Sequence, residues 1–117
     1  MESPDRVTNL NYLNELSKGD AEFINEMVGI FLSENPDEVT ILETAIQNND
    51  YETISSMSHH MKSTIQFVGL DLMIGNELSE IEKLANEKTG LEIIKTLFVT
   101  VKATCNKAFE ELSSQTI

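Results

Sequence analysis

The chain has one cysteine, two prolines, no tryptophan and only 6% aromatic residues among its 117. Each shortage excludes something. A single thiol, Cys105, makes no internal disulfide and by itself no metal site, which points to a reducing, cytoplasmic setting. With Pro at Pro4 and Pro36 alone, and Gly at Gly19, Gly29, Gly69, Gly75 and Gly90, long stretches contain nothing that breaks a helix. Scarce aromatics leave the core to Leu, Ile, Val and Met. Positive charge is scarce as well: eight Lys and Arg stand against twenty Asp and Glu, a net charge of −12. Nucleic acid and anionic membrane surfaces both draw on clustered Lys and Arg, so neither is an expected partner. No apolar run approaches the roughly 20 residues of a membrane span. The N-terminal MESPDRVTNL has neither the basic nor the apolar part of a secretory signal.

What the chain does have is helical periodicity. Residues 1–8 are polar, contain Pro4 and predict a loose lead-in. Leu10, Leu13 and Leu16 make a short helical stripe that Gly19 ends. Asp20 then reads as an N-cap, with Glu22 in the first turn of a helix running to about Ser33. Asn35-Pro36-Asp37-Glu38 has the form of a new start, with Asn35 capping, Pro36 at the first helical position and Glu38 closing a capping box. Whether the two segments are continuous is open at this level. Asn48-Asn49-Asp50 breaks the pattern and caps a central helix over about Tyr51–Phe67, which Gly69 closes with a left-handed residue. A fourth stripe follows from Asp71 with Ile74, Leu78, Ile81 and Ala85. Thr89-Gly90-Leu91-Glu92 reads as a capping box before the last stripe, Ile94, Leu97, Val101, Cys105, Ala108 and Leu112. No strand alternation and no internal repeat occurs. The short breaks favour antiparallel neighbours. The fold class expected is all-α: one domain over residues 1–117, an antiparallel up-and-down four-helix bundle with a short additional N-terminal helix.

The central helix carries the one chemical anomaly. Ile54, Met57, Met61, Ile65 and Val68 fall in one narrow sector at about 100° per residue. His59 lies nearly opposite, and Lys62, Ser63 and Gln66 share its face. His60 turns to the flank. No Asp or Glu occurs from residue 53 to 70, in a chain otherwise rich in both. An exposed histidine on a helix is most often a solvated polar residue. A strip of small polar groups around the ring, a lysine within i, i+3 reach and a local absence of acids suit a surface that holds an anion or docks an acidic partner.

Other chemistries fit less well. His59 and His60 diverge by about 100° and share no face, and the neighbours of His59 on its helix are not metal ligands, so no metal site is expected. There is no phosphate-cradling Gly-rich loop and no carboxylate close in sequence to orient His59, although one from another helix remains open. Cys105 lies on a core stripe. An exposed imidazole can still act as a nucleophile, and Lys62 could pair with the oxygens of a phosphoryl group that it accepts.

His59-His60-Met61-Lys62-Ser63, with Gly69 ten residues after His59, resembles the histidine-containing phosphotransfer (HPt) domain of two-component phosphorelays. Ile81-Glu82-Lys83-Leu84-Ala85 is similar to that family's segment on the following helix. The resemblance covers about residues 15–112. It implies a four-helix bundle that takes a phosphoryl group from the aspartate of a receiver domain onto His59 and passes it to another receiver. It further implies a carrier with no kinase activity of its own and no cofactor, Mg²⁺ being expected on the receiver only. Lys62 would stabilise the phosphate, and Ser63, Gln66, Phe67 and His60 would meet the partner. Response-regulator receivers, and as a second class a hybrid sensor histidine kinase, are the implied partners of a monomer. Ser63 stands where the family usually has glycine. A helical module that docks on a receiver or kinase without transferring phosphate is the alternative.

Overall fold

The computed structural model describes residues 6–115. It contains five α-helices and, among the described residues, no strand: α1 (Asn11–Ser17), α2 (Ala21–Gln47), α3 (Tyr51–Gln66), α4 (Asp71–Asn86) and α5 (Leu91–Gln115). α2 packs on α3, α3 on α4, α4 on α5, and α5 returns to α2, so the four long helices close a ring around one core; α1 leans on α2. The expected stripes line that core. Ile54, Met61, Ile65 and Val68 meet Ile74, Leu78 and Ile81, and all are fully buried. Each such side chain contributes about 1.5–3 kcal/mol by leaving water. None of the helices among the described residues is long and apolar enough to cross a membrane.

The helix starts follow local chemistry where caps are present. The Asp20 carboxylate accepts from the Glu22 and Phe23 amides, and that of Asp50 from the Thr53 amide. α5, however, starts at Leu91 and its first carbonyl is that of Gly90, which accepts from Ile94 at 2.9 Å. Thr89 therefore lies one position outside the expected capping box.

Asn35-Pro36 is not a start. α2 runs unbroken through it, with Pro36 inside the helix. Asn35 and Glu38, read as cap and capping-box residues, are instead buried on the inner face, where the Asn35 amide donates to Glu38 Oε1 at 3.4 Å. Phe31, Val39 and Leu42 continue the buried stripe on both sides, so burial along the full length overrides the local break. The proline still costs its missing N–H and its clash with the preceding turn. Pro36→Ala is accordingly expected to raise stability by about 1–3 kcal/mol, read as a higher urea midpoint with an unchanged slope.

The lead-in also departs from expectation. Its first five residues lie outside the described residues. The remainder is not loose: Glu111 on α5 accepts from the Val7 amide at 2.8 Å, the Thr8 amide at 3.1 Å and the Thr8 hydroxyl at 2.7 Å. Burial opposes the charge of Glu111, but the hydrogen bonds from Thr8 and Val7 and the nearby Arg6 outweigh it and hold its carboxyl below the ordinary range. The Asn9 amide then donates to the Val68 carbonyl at 2.9 Å, which pins this strap over the α3–α4 turn.

Between α2 and α5, Cys105 is 1% exposed. Burial pushes its thiol up to about 12, with the Glu38 charge adding to the rise and a hydrogen bond with Asn35 opposing it.

Candidate functional site

α3 is held at both ends and along one side. Asp50 caps it through the Thr53 amide at 3.1 Å and the Thr53 hydroxyl at 2.7 Å. Its stripe anchors it in the core, and Gly69, at φ +78°, turns the chain toward α4. With the inner face fixed, the opposite face is determined. His59 is 73% exposed, Ser63 and Gln66 are exposed, and Lys62 is half-buried. The four share the outer strip that helical geometry predicts.

α4 returns along α3 so that Ser55 meets Asn86 and His59 meets Glu82. This register supplies what the sequence around His59 lacks. Glu82 Oε2 lies 2.9 Å from His59 Nδ1, and Glu82 Oε1 lies 2.7 Å from Lys62 Nζ. One carboxylate thus bridges the histidine and the lysine. Glu82, 19% exposed, has its carboxyl held below the ordinary range. The hydrogen bond from Lys62 is the main cause; it prevails over the cost of partial burial, and the Lys62 charge and the His59 contact add to it. An ionised carboxylate only accepts, so the proton of a neutral His59 ring sits on Nδ1 and the Nε2 lone pair is left facing solvent.

His60 is engaged differently. Its Nε2 lies 3.0 Å from Oε2 of Glu38, a carboxylate only 6% exposed. The Thr64 hydroxyl donates to the same oxygen at 3.0 Å. Phe67, at the end of α3, is half-buried, with its ring centroid 6.1 Å from that of Tyr12 on α1. The structure therefore gathers His59, Lys62, Ser63 and Gln66 on one strip, ties His60 to α2 on the flank, and sets Phe67 against α1.

Glu82 and Glu38 are what a reading along the helix misses. The acid-free window from 53 to 70 is a property of the chain, and in space two carboxylates from α4 and α2 enter beside it.

Chemically, the strip offers an exposed ring nitrogen with a lone pair, a carboxylate that can balance a positive ring, and an ammonium group beside it. It lies on an open helical surface, which suits a group presented by a macromolecule. The family model described as the Hpt domain matches residues 26–94, more than half of the chain, and its span includes every residue of the strip together with Glu82. No curated protein and no solved structure matches the chain.

Proposed function

The chain belongs to the Hpt domain family, whose members act in the phosphorelays of two-component signalling, and from that premise we propose that it carries a phosphoryl group on His59 Nε2 between receiver-domain aspartates. The observation that carries the reading is the His59–Glu82–Lys62 arrangement, which leaves Nε2 unprotonated and outward. In the accepting step Nε2 attacks the phosphorus of an aspartyl phosphate, the bond from phosphorus to the aspartyl oxygen breaks, and aspartate leaves as a carboxylate. The ring, still protonated at Nδ1, becomes a positively charged phosphoimidazole, and Glu82 offsets that charge at 2.9 Å. Orientation by a carboxylate at the second nitrogen is the same device that holds the histidine of a hydrolase triad. Charge on the transferring group is offset from the partner's side by its Mg²⁺ and from this side by Lys62, whose ammonium has donors beyond the one given to Glu82.

The domain assigned to this role spans about residues 15–112 and has no kinase activity of its own. An antiparallel four-helix arrangement is supported by the closed ring of contacts among α2, α3, α4 and α5 and by the short turns between them. Ser63 and Gln66 lie along the receiver's docking face, with Phe67 at its edge. Receiver domains, including that of a hybrid sensor kinase, are the partners, and the compartment is the cytoplasm.

The transfer reaction tests the roles of the two flanking groups. With a phosphorylated receiver as donor, wild type should acquire an acid-labile, base-stable adduct. Lys62→Ala should slow its formation with the helical circular dichroism unchanged, because Lys62 lies off the apolar stripe. Glu82→Gln keeps a hydrogen-bond acceptor and loses the charge. It should slow transfer about 10–100-fold, the equivalent of the roughly 1.5–3 kcal/mol that a hydrogen bond to a charged group contributes. Rates equal to wild type in both variants would refute the arrangement as the working site.

A further inference from the structure

Around His59 the helix offers no metal ligands, but the flank of the same helix does once α2 is packed against it. Glu34 and Glu38 lie one turn apart on α2, and one ligand atom from each, with one from His60, all lie within 4.8 Å of one another. His60 Nε2 and Glu38 Oε2 are 3.0 Å apart. The edge between two ligands of a tetrahedral zinc ion, with bonds of about 2.0–2.1 Å, is about 3.3 Å. The His60–Glu38 edge is thus within a few tenths of an ångström of that spacing, and the Glu34 carboxylate lies within side-chain reach of it.

Three further observations set this cluster apart from a chance meeting of surface acids. Glu38 is buried and held in place: its two oxygens accept from the Thr64 hydroxyl at 3.0 Å and the Asn35 amide at 3.4 Å. Supporting bonds of this kind orient a ligand before the metal arrives. Among the described residues no Lys or Arg pairs with Glu34 or Glu38. Two carboxylates at i, i+4 repel, and a divalent ion between them would relieve that repulsion. The donor set is one imidazole with two carboxylates. Mg²⁺ and Ca²⁺ take oxygen ligands, whereas imidazole suits zinc and the later first-row metals. Glu34 and His60 are exposed, which leaves a fourth position open to water.

We propose that Glu34, Glu38 and His60 form a binding site for a divalent transition-metal ion of the zinc type, bridging α2 and α3. The site uses neither His59 nor Glu82 and stands independently of the phosphocarrier reading.

Calorimetric titration of the metal-free full chain with Zn²⁺ tests it. Wild type should bind one equivalent. Glu34→Gln and His60→Gln, both replacements of exposed side chains that leave the core intact, should each weaken binding at least tenfold. Thr64→Val, which removes the bond that holds Glu38, should weaken it about 10–100-fold. His59→Gln should bind as wild type does. Co²⁺ in place of Zn²⁺ should give the intense visible bands of a four-coordinate ion, and these should be lost in His60→Gln. Binding unchanged in Glu34→Gln and His60→Gln, loss in His59→Gln equal to that in His60→Gln, or no stoichiometric uptake by wild type would each overturn the proposal.

Discussion

Mixed with a phosphorylated receiver domain, the His59→Gln variant is expected to take up no phosphate at all, while His60→Gln takes it up at close to the wild-type rate. The two histidines are adjacent, so the contrast rests on what surrounds each ring. His59 projects from the solvent face with Nδ1 bound to Glu82, and its Nε2 is open. His60 has Nε2 itself against Glu38, so that nitrogen is occupied, and among the described residues no lysine pairs with the Glu38 carboxylate. Glutamine preserves polarity and size well enough to keep α3 folded, since neither ring enters the core. It has no nucleophilic nitrogen, and with a single carrier atom in the proposal there is no partial route. The measurement is transfer of radiolabelled phosphate, followed by acid and base treatment of the product. Uptake by His59→Gln, or its loss in His60→Gln, would reverse the assignment. A wild-type chain that binds receivers and accepts nothing would leave only the docking module.

The second large effect concerns stability. Gly69→Ala is expected to cost about 2–5 kcal/mol, from a left-handed non-glycine residue at about 1–2 kcal/mol and overpacking at about 1–3. Gly69 has φ +78°, and a Cβ built there would lie 2.6 Å from Cγ and 2.8 Å from the backbone oxygen of Asn9. The side chain of Asn9 could rotate away. Its backbone is held by the bond to the Val68 carbonyl, so the strap would have to lift from the turn. For a domain of this size that loss is a large part of the total. Gly29 gives the control. It is helical and exposed, with nothing within 4 Å of its missing Cβ, so Gly29→Ala should gain about 0.5–1 kcal/mol. Urea unfolding of the pair would separate the two cases, and equal midpoints would show that neither the strap nor the left-handed backbone resists a side chain at Gly69.

These cases also mark how far the chain can be read without coordinates. The stripes on α3, α4 and α5 are legible because every apolar position answers to one period, and His59 follows from them as the residue opposite. Gly69 is legible as a helix end but not as a contact, because Asn9 reaches it from sixty residues away. Asn35-Pro36-Asp37-Glu38 misleads for a related reason. Its residue types satisfy a local rule for starting a helix, and the same types satisfy a tertiary one, in which Glu38 and Asn35 form a buried polar pair, Glu38 bonded to Thr64 of α3 and Asn35 to Cys105 of α5. Local rules carry no term for a neighbouring helix. Glu82 escaped for the same reason, since the pairing of α3 with α4 sets it beside His59 across 23 residues of chain.

The burial of Cys105 has a consequence for watching this molecule move. It is the only thiol in the chain, and the seam between α2 and α5 keeps it protonated and out of reach of reagents. Alkylation must therefore wait until that seam opens, and the thiolate forms only then. The rate of modification becomes a clock for the parting of two helices, needing no introduced label. Run with and without a bound receiver or a metal ion, that clock would report whether either one tightens the scaffold that carries His59.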